Sequence, residues 1–221
     1  MKKNVIGKGL AFIAASLLVS TFTLSSAHSA LVSVAGGPST VGAMASIIAA
    51  PGLATDPAVT NWAQEGFDEK QGVLLGAPIA HDGGIIAAGT RVDSHMIFLN
   101  IPTGGVSPVY HNAVTWTFSG TILGVMSDGG GTLEAATTAL LGAIGTAYTA
   151  PYGARGMDGL DTYSIVGGGF SLLVDMGVSQ PGDWIRVVTL SVVPLPAALP
   201  LYGAGLALMG FLGWRKKKAA A

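Results

Sequence analysis

The chain has 221 residues, half of them hydrophobic, with 33 glycines, no cysteine and a formal net charge of −1. The lack of cysteine excludes a disulfide-stapled scaffold and a thiol nucleophile. Away from its two ends the chain sets Lys70, Arg91, Arg155 and Arg186 against all 12 carboxylates, a balance of −8 that excludes an electrostatic footprint for nucleic acid and leaves neutral glycan, bound Ca²⁺ or plain solubility as compatible roles.

Residues 1–30 read as a secretory signal peptide. Lys2, Lys3 and Lys8 form its basic region, Leu10 to Val19 its apolar core, and Ser25-Ser26-Ala27 a small-residue cleavage pattern. The Sec translocon and signal peptidase are the implied partners, with cleavage expected within Ala27–Ala30. Residues 31–192 are then an exported acidic domain, long enough to bury one sizeable core.

Its first stretch, Leu31 to Asp56, is rich in Ala, Gly and Ser, and Val41 to Ala50 fits a short helix or a strand. Asp56-Pro57 supplies a cap residue with proline at the first helical position, so a short helix or turn is expected over Ala58 to Phe67. From Gly72 the hydrophobic period becomes two. Val73-Leu74-Leu75 and Ile85-Ile86-Ala87 flank the hairpin signal Asp82-Gly83-Gly84. Arg91 to Leu99 predicts a strand with Val92, Met96 and Phe98 on one face and Arg91, Asp93 and His95 on the other. Ala113 to Ser119 alternates Val114, Trp116 and Phe118 against Thr115, Thr117 and Ser119. Ile122 to Met126 predicts a buried strand, and Thr132, with Glu134 in the first turn, a single helix through Leu141. Tyr163 to Val166, Phe170 to Val178 and Trp184 to Val192 complete the strands. The fold class expected is mainly β, an antiparallel β-sandwich or jelly roll with one or two short helices, and no internal repeat of fixed period is visible.

His81, His95 and His111, with Asp82 and Asp93, are the candidate metal or acid/base residues, since zinc and proton-transfer sites use these side chains. Their spacings match no ligand motif. Asp93 is the same-strand neighbour expected to orient His95, on an exposed strand face. Asp68 with Glu69, and Asp158 with Asp161, are formally carboxylate pairs of the glycosidase kind but read more simply as solvated turn residues. Asp128 before three glycines, and Asp158-Gly159-Leu160-Asp161, offer the oxygen ligands that Ca²⁺ prefers without matching the EF-hand spacing. Trp116 and Trp184 read as core, and Trp62 is open to either reading. No catalytic residue or cofactor is assigned.

The chain closes on Val193-Pro194-Leu195-Pro196-Ala197, an uncharged run from Ala197 to Trp214, and Arg215-Lys216-Lys217-Lys218. Those eighteen uncharged residues make about 27 Å of helix, close to the roughly 30 Å of a hydrocarbon core. The basic cluster reads as a cytoplasmic stop-transfer signal over residues 215–221. Each proline fixes φ, removes a donor and disfavours helix in the residue before it, which keeps the pentapeptide extended.

A proline-rich pentapeptide, a short glycine-bearing span and a terminal basic cluster, in this order, resemble the PEP-CTERM class of bacterial sorting signals, and Val193 to Ala197 looks like its VPLPA-CTERM variant. The likeness covers residues 193–221; Leu195 stands where the commonest form of the class has Glu. It implies recognition of Val193, Pro194, Leu195, Pro196 and Ala197 by an exosortase in a Gram-negative bacterium that exports polysaccharide. The chain is thus expected to be a single-pass inner-membrane precursor and then a cell-surface or extracellular-matrix protein, not an enzyme, with exopolysaccharide as a candidate partner. A secreted polysaccharide-active hydrolase and a ligand- or ice-binding adhesin are the alternatives.

Overall fold

A computed structural model describes residues 30–53, 61–101, 108–148, 155–159, 161–179, 182–191 and 209. The signal peptide, the sorting motif and the basic cluster lie outside the described residues. Along the chain run β1 (Leu31–Ala35), β2 (Ser46–Ile47), β3 (Glu65–Asp68), β4 (Val73–Leu74), β5 (Ile79–His81), β6 (Gly84–Ile86), β7 (Arg91–Leu99), β8 (Val109–Phe118), β9 (Ile122–Met126), α1 (Thr132–Leu141), β10 (Thr162–Val166), β11 (Ser171–Val178) and β12 (Asp183–Leu190).

The protein is mainly β, with largely antiparallel sheets. One sheet has the order β1-β8-β11-β10. The other has the order β2-β3-β7-β12-β9, with β4 continuing the edge that β3 makes on β7, and β5-β6 form a separate hairpin. All named pairs are antiparallel except β2 with β3. The pairing of β8 with β11 is interrupted between Val174 and Met176. Opposite that break Ala113 takes φ 55°, a left-handed conformation unusual for a residue with a Cβ, and its N–H donates to Asp175 Oδ1 at 2.6 Å.

The alternation in the strands builds the core directly. Val114, Trp116 and Phe118 of β8 and Leu172, Val174, Met176 and Val178 of β11 pack in one buried cluster with Ile97 and Leu99 of β7, Val125 of β9, and Ile185 and Val187 of β12. The two sheets therefore share one interior. The second face of β7 and β12 is also covered. Val92 and Val188 lie beneath Leu75, Ile79, Ile86 and Leu141, while Met96, Phe98 and Trp184 pack with Phe67 and Tyr148. With both faces buried, only Arg91 in β7 and Leu190 in β12 are exposed.

Several sequence expectations change here. Of the stretch expected as a short helix or turn over Ala58 to Phe67, residues 58–60 lie outside the described residues, and its end is instead the strand Glu65–Asp68, paired with Phe98–His95. Within the β1–β12 domain the only α-helix among the described residues is α1, in keeping with the one or two short helices expected, and a single 3-10 turn spans Gly167–Gly169. Thr132 does not cap it; Asp128 does, its carboxylate accepting the N–H groups of Thr132 at 2.8 Å and Leu133 at 3.0 Å. The strand opposite Gly84–Ile86 is Ile79–His81, while Val73–Leu74 pairs with β7. β1 forms where composition alone showed no strand.

Gly66 is needed for a steric reason: a Cβ there would lie 2.6 Å from the Trp116 ring. Trp116 is fully buried and cannot retreat. Gly66→Ala is expected to destabilise the domain by about 1–3 kcal/mol, read as a lower urea midpoint at unchanged m-value.

Candidate functional site

His95 is the centre of a row that resembles a catalytic arrangement. Its Nδ1 lies 2.7 Å from Asp68 Oδ1, to which it donates, and its Nε2 lies 3.0 Å from Thr189 Oγ1. Acid, imidazole and hydroxyl in sequence are the layout of a nucleophile relay. Burial decides against that chemistry. His95 and Thr189 are both 0 % exposed, and the ring of Phe118 sits 5.0 Å from the imidazole. The row therefore pins β3, β7 and β12 together. It also corrects two expectations: His95 is not on an exposed face, and its partner is Asp68, which stands directly across the strand pair, not Asp93. Asp93 is itself buried, and its carboxylate accepts the Gly72 N–H.

Glu69 is no solvated turn residue. It forms a fully buried ion pair with Arg186, Oε2 accepting from Nε at 2.7 Å and Oε1 from Nη2 at 2.9 Å. Ser94 Oγ and Tyr148 Oη donate to the same carboxylate at 2.6 and 2.5 Å. Arg186 further donates to the Glu134 carbonyl at 3.0 Å and to the hydroxyls of Thr137 and Thr138, so one side chain of β12 holds three residues of α1. Burial alone would lower the Arg186 pKa, yet Glu69 holds it above the ordinary value. Burial and the Glu69 charge likewise raise Tyr148.

Beside this cluster Glu134 is 0 % exposed, and burial, reinforced by the Asp128 charge, pushes its pKa up to about 8. Asp128 moves the other way. Its partial burial is outweighed by the N–H groups of Leu133 and Thr132 and by the Thr132 hydroxyl, all donating to its carboxylate. A second acid with a raised pKa is Asp183, pushed up to about 8 by burial and by its neighbours Asp161 and Asp158.

The remaining candidates are dispersed. His111 Nδ1 accepts the Gln64 N–H at 2.9 Å and Nε2–H donates to the Gly37 carbonyl at 2.9 Å. The Gln64 side chain meanwhile donates to His111 O at 2.8 Å and Val174 O at 3.3 Å and accepts from Trp116 Nε1 at 2.9 Å. His81 packs its ring over Gly124, and Asp82 accepts from the hydroxyls of Ser127 at 2.7 Å and Tyr163 at 3.1 Å. Burial and the Asp82 charge push Tyr163 up to about 12. Asp161 is occupied by the N–H groups of Asp158 and Gly177 at 3.1 and 2.6 Å. Among the described residues no group of three or more His, Asp or Glu side chains is placed to hold a metal ion.

Trp116 and Trp184 are buried, as expected, whereas Trp62 is half-buried and lines an open depression of about 400 Å³ with Val41, Gly42 and Ala43. Among the described residues that line it none is charged. Among the described residues no helix is long and apolar enough to cross a membrane.

Sequence reasoning missed Gln64 and the Arg186–Glu69 pair. The signal for the second was available: an arginine in the middle of Trp184-Ile185-Arg186-Val187-Val188, with apolar residues on both sides, needs a buried partner. No protein-family model matches this chain, and comparison with curated proteins and with solved structures gave no match.

Proposed function

We propose that this chain is an exported cell-surface or extracellular-matrix protein of a Gram-negative bacterium, non-enzymatic, whose domain is a sandwich-type fold carried on an exosortase-sorted tail. The observation that carries this reading is the ordered C-terminus: Val193 to Ala197, eighteen uncharged residues, then Arg215 to Lys218. The fold is compatible with it in two ways. The last strand ends at Leu190, so the recognition pentapeptide follows the domain almost at once. The histidines and carboxylates that sequence reading nominated for chemistry are largely taken up by internal hydrogen bonds, as in a domain whose polar interior serves stability. The Sec translocon and signal peptidase handle the N-terminus on this reading, and the acidic domain would meet neutral rather than acidic exopolysaccharide.

Intact mass spectrometry of the mature protein from its host, beside a strain lacking the exosortase, tests the proposal. The expected result is loss of the mass beyond the Val193–Ala197 region in the first strain alone. A tail retained in both strains would leave an ordinary single-span protein and end the sorting claim.

A further inference from the structure

Both ends of the described domain leave from one pole. Ala30 and Ser119 exchange hydrogen bonds, Ala30 N–H to Ser119 Oγ at 2.8 Å and Ser119 N–H to the Ala30 carbonyl at 3.1 Å. At the same pole Leu190 N–H donates to the Thr121 carbonyl at 2.8 Å and Ser191 N–H to the Arg91 carbonyl at 3.1 Å. The β10–β11 turn joins them: the Phe170 carbonyl accepts the Phe118 N–H at 2.8 Å, and Gly169 lies against the Thr121 methyl.

This pole is apolar where it meets solvent. Leu74 is 57 % exposed, Ile165 49 %, Leu190 45 %, Phe170 43 % and Val166 37 %. Its charge is also distinct. Arg91 is exposed here, next to Leu74. Of the carboxylates near it, Asp93 is buried and accepts the Gly72 N–H, while Asp68, its side chain 38 % exposed, accepts from His95 and the Leu31 N–H. Asp128, Asp158, Asp161 and Asp183 lie toward the opposite pole, where β12 begins and β9 ends.

We infer that this pole, with Leu74, Phe170 and Leu190 foremost, is a membrane-contact surface that seats on the phospholipid bilayer while the tail is in place. The inference rests on the tail reading above and adds an orientation to it. Between Ser191 and the uncharged run that starts at Ala197 there are six residue steps, a reach of at most about 20 Å when fully extended. The tether is therefore comparable to the depth of the headgroup region and its hydration, and it pulls on the pole that exposes Leu74, Phe170 and Leu190; Met44 and Ile47 are exposed toward the other pole, so the tether and the charge distribution, not exposed apolar area alone, select this one. Arg91 faces anionic headgroups, and the carboxylate-rich pole faces away from them.

The chain has no cysteine, so a single substitution gives a unique labelling site. Full-length Phe170→Cys, Leu74→Cys and Met44→Cys, each carrying an environment-sensitive fluorophore, are reconstituted into phosphatidylcholine–phosphatidylglycerol vesicles containing a headgroup-depth quencher lipid. Met44 is 59 % exposed and lies toward the far pole, where it serves as the reference. Quenching at positions 170 and 74 is expected to exceed that at 44 by about twofold or more, with a blue-shifted emission. Equal quenching at all three positions in protein that co-floats with the vesicles overturns the seat and leaves the tail reading standing. Protein that does not co-float removes the tail reading and the seat together. Protection of position 170 that rises with protein concentration in lipid-free detergent would assign the surface to a second copy of the chain and likewise overturn the proposal.

Discussion

Replacing Arg186 with Ala is expected to lower the free energy of unfolding by about 3–5 kcal/mol, a large part of what a domain of this size has. The loss has two sources. The Glu69 carboxylate would remain in the interior with only Ser94 and Tyr148 as donors, and the hydroxyls of Thr137 and Thr138 and the Glu134 carbonyl would lose their link to β12. The Tyr148 ring, 5.6 Å from the guanidinium, would lose its cation as well. Because α1 is short and Arg186 is its side-chain link to β12, its amides should gain hydrogen exchange before those of β7 and β12. Urea denaturation and amide exchange check both statements. The double substitution Arg186→Met with Glu69→Met separates the sources: removing both charges should recover a substantial part of the stability, since the penalty comes mainly from a stranded charge. A single Arg186→Ala variant as stable as the wild type would show that the pair contributes nothing.

The second large effect is a pH dependence with an unusual sign. Glu134 and Asp183 have native pKa values raised to about 8 from ordinary values of 4.5 and 3.8. Between those limits the folded protein holds protons that the unfolded chain releases, so stability from these groups is fully present at acidic pH and is lost as pH rises toward about 8. Paired carboxylates of the common kind behave oppositely, and Asp128, whose pKa is lowered, is one of them. The urea midpoint of the wild type is expected to fall between about pH 5.5 and about pH 8.5, by an amount on the order of a few kcal/mol. Glu134→Gln should flatten the slope and stabilise the protein at the alkaline end, because the neutral amide replaces a carboxyl that burial keeps neutral. Asp183→Asn should do the same independently, its site being on the first residue of β12 rather than under α1. Two variants that retain the wild-type slope would mean both acids ionise freely in the native state.

How far the sequence foretold this molecule depends on the range of the interaction concerned. Alternation placed β7, β8 and β11, an apolar run placed β9, and the Thr132–Leu141 helix followed from a cap-type Thr132 with Glu134 in the first turn, because those signals are local. β1 was not legible and β2 only as one of two alternatives over Val41–Ala50: both are short, and their strand form comes from pairing with Phe118–Thr115 and with Glu65–Gly66, neither of which is near in sequence. The partner of His95 shows the same limit. Asp93 shares its strand face but stands two residues along, whereas Asp68 is its direct cross-strand neighbour, the closer position in a sheet. Which face of β7 and β12 meets water could not be read at all, since α1 and the β5–β6 hairpin cover what would have been the outer side. Phe170 fits the inward alternation of Leu172 and Val174, yet it is 43 % exposed because it belongs to the turn before β11.

The order of the strands has a consequence for how the chain becomes a protein in time. β1 pairs with β8 across more than eighty residues, and β12, the last strand, is inserted between β7 and β9 at the heart of the larger sheet. Such distant pairings close slowly, because loop entropy is lost before contacts repay it. The larger sheet can therefore not be completed before β12, and the smaller one not before β11. A chain still emerging lacks the β12 side chains Ile185 and Val187 of the shared core, so that core is finished only when the final strand arrives.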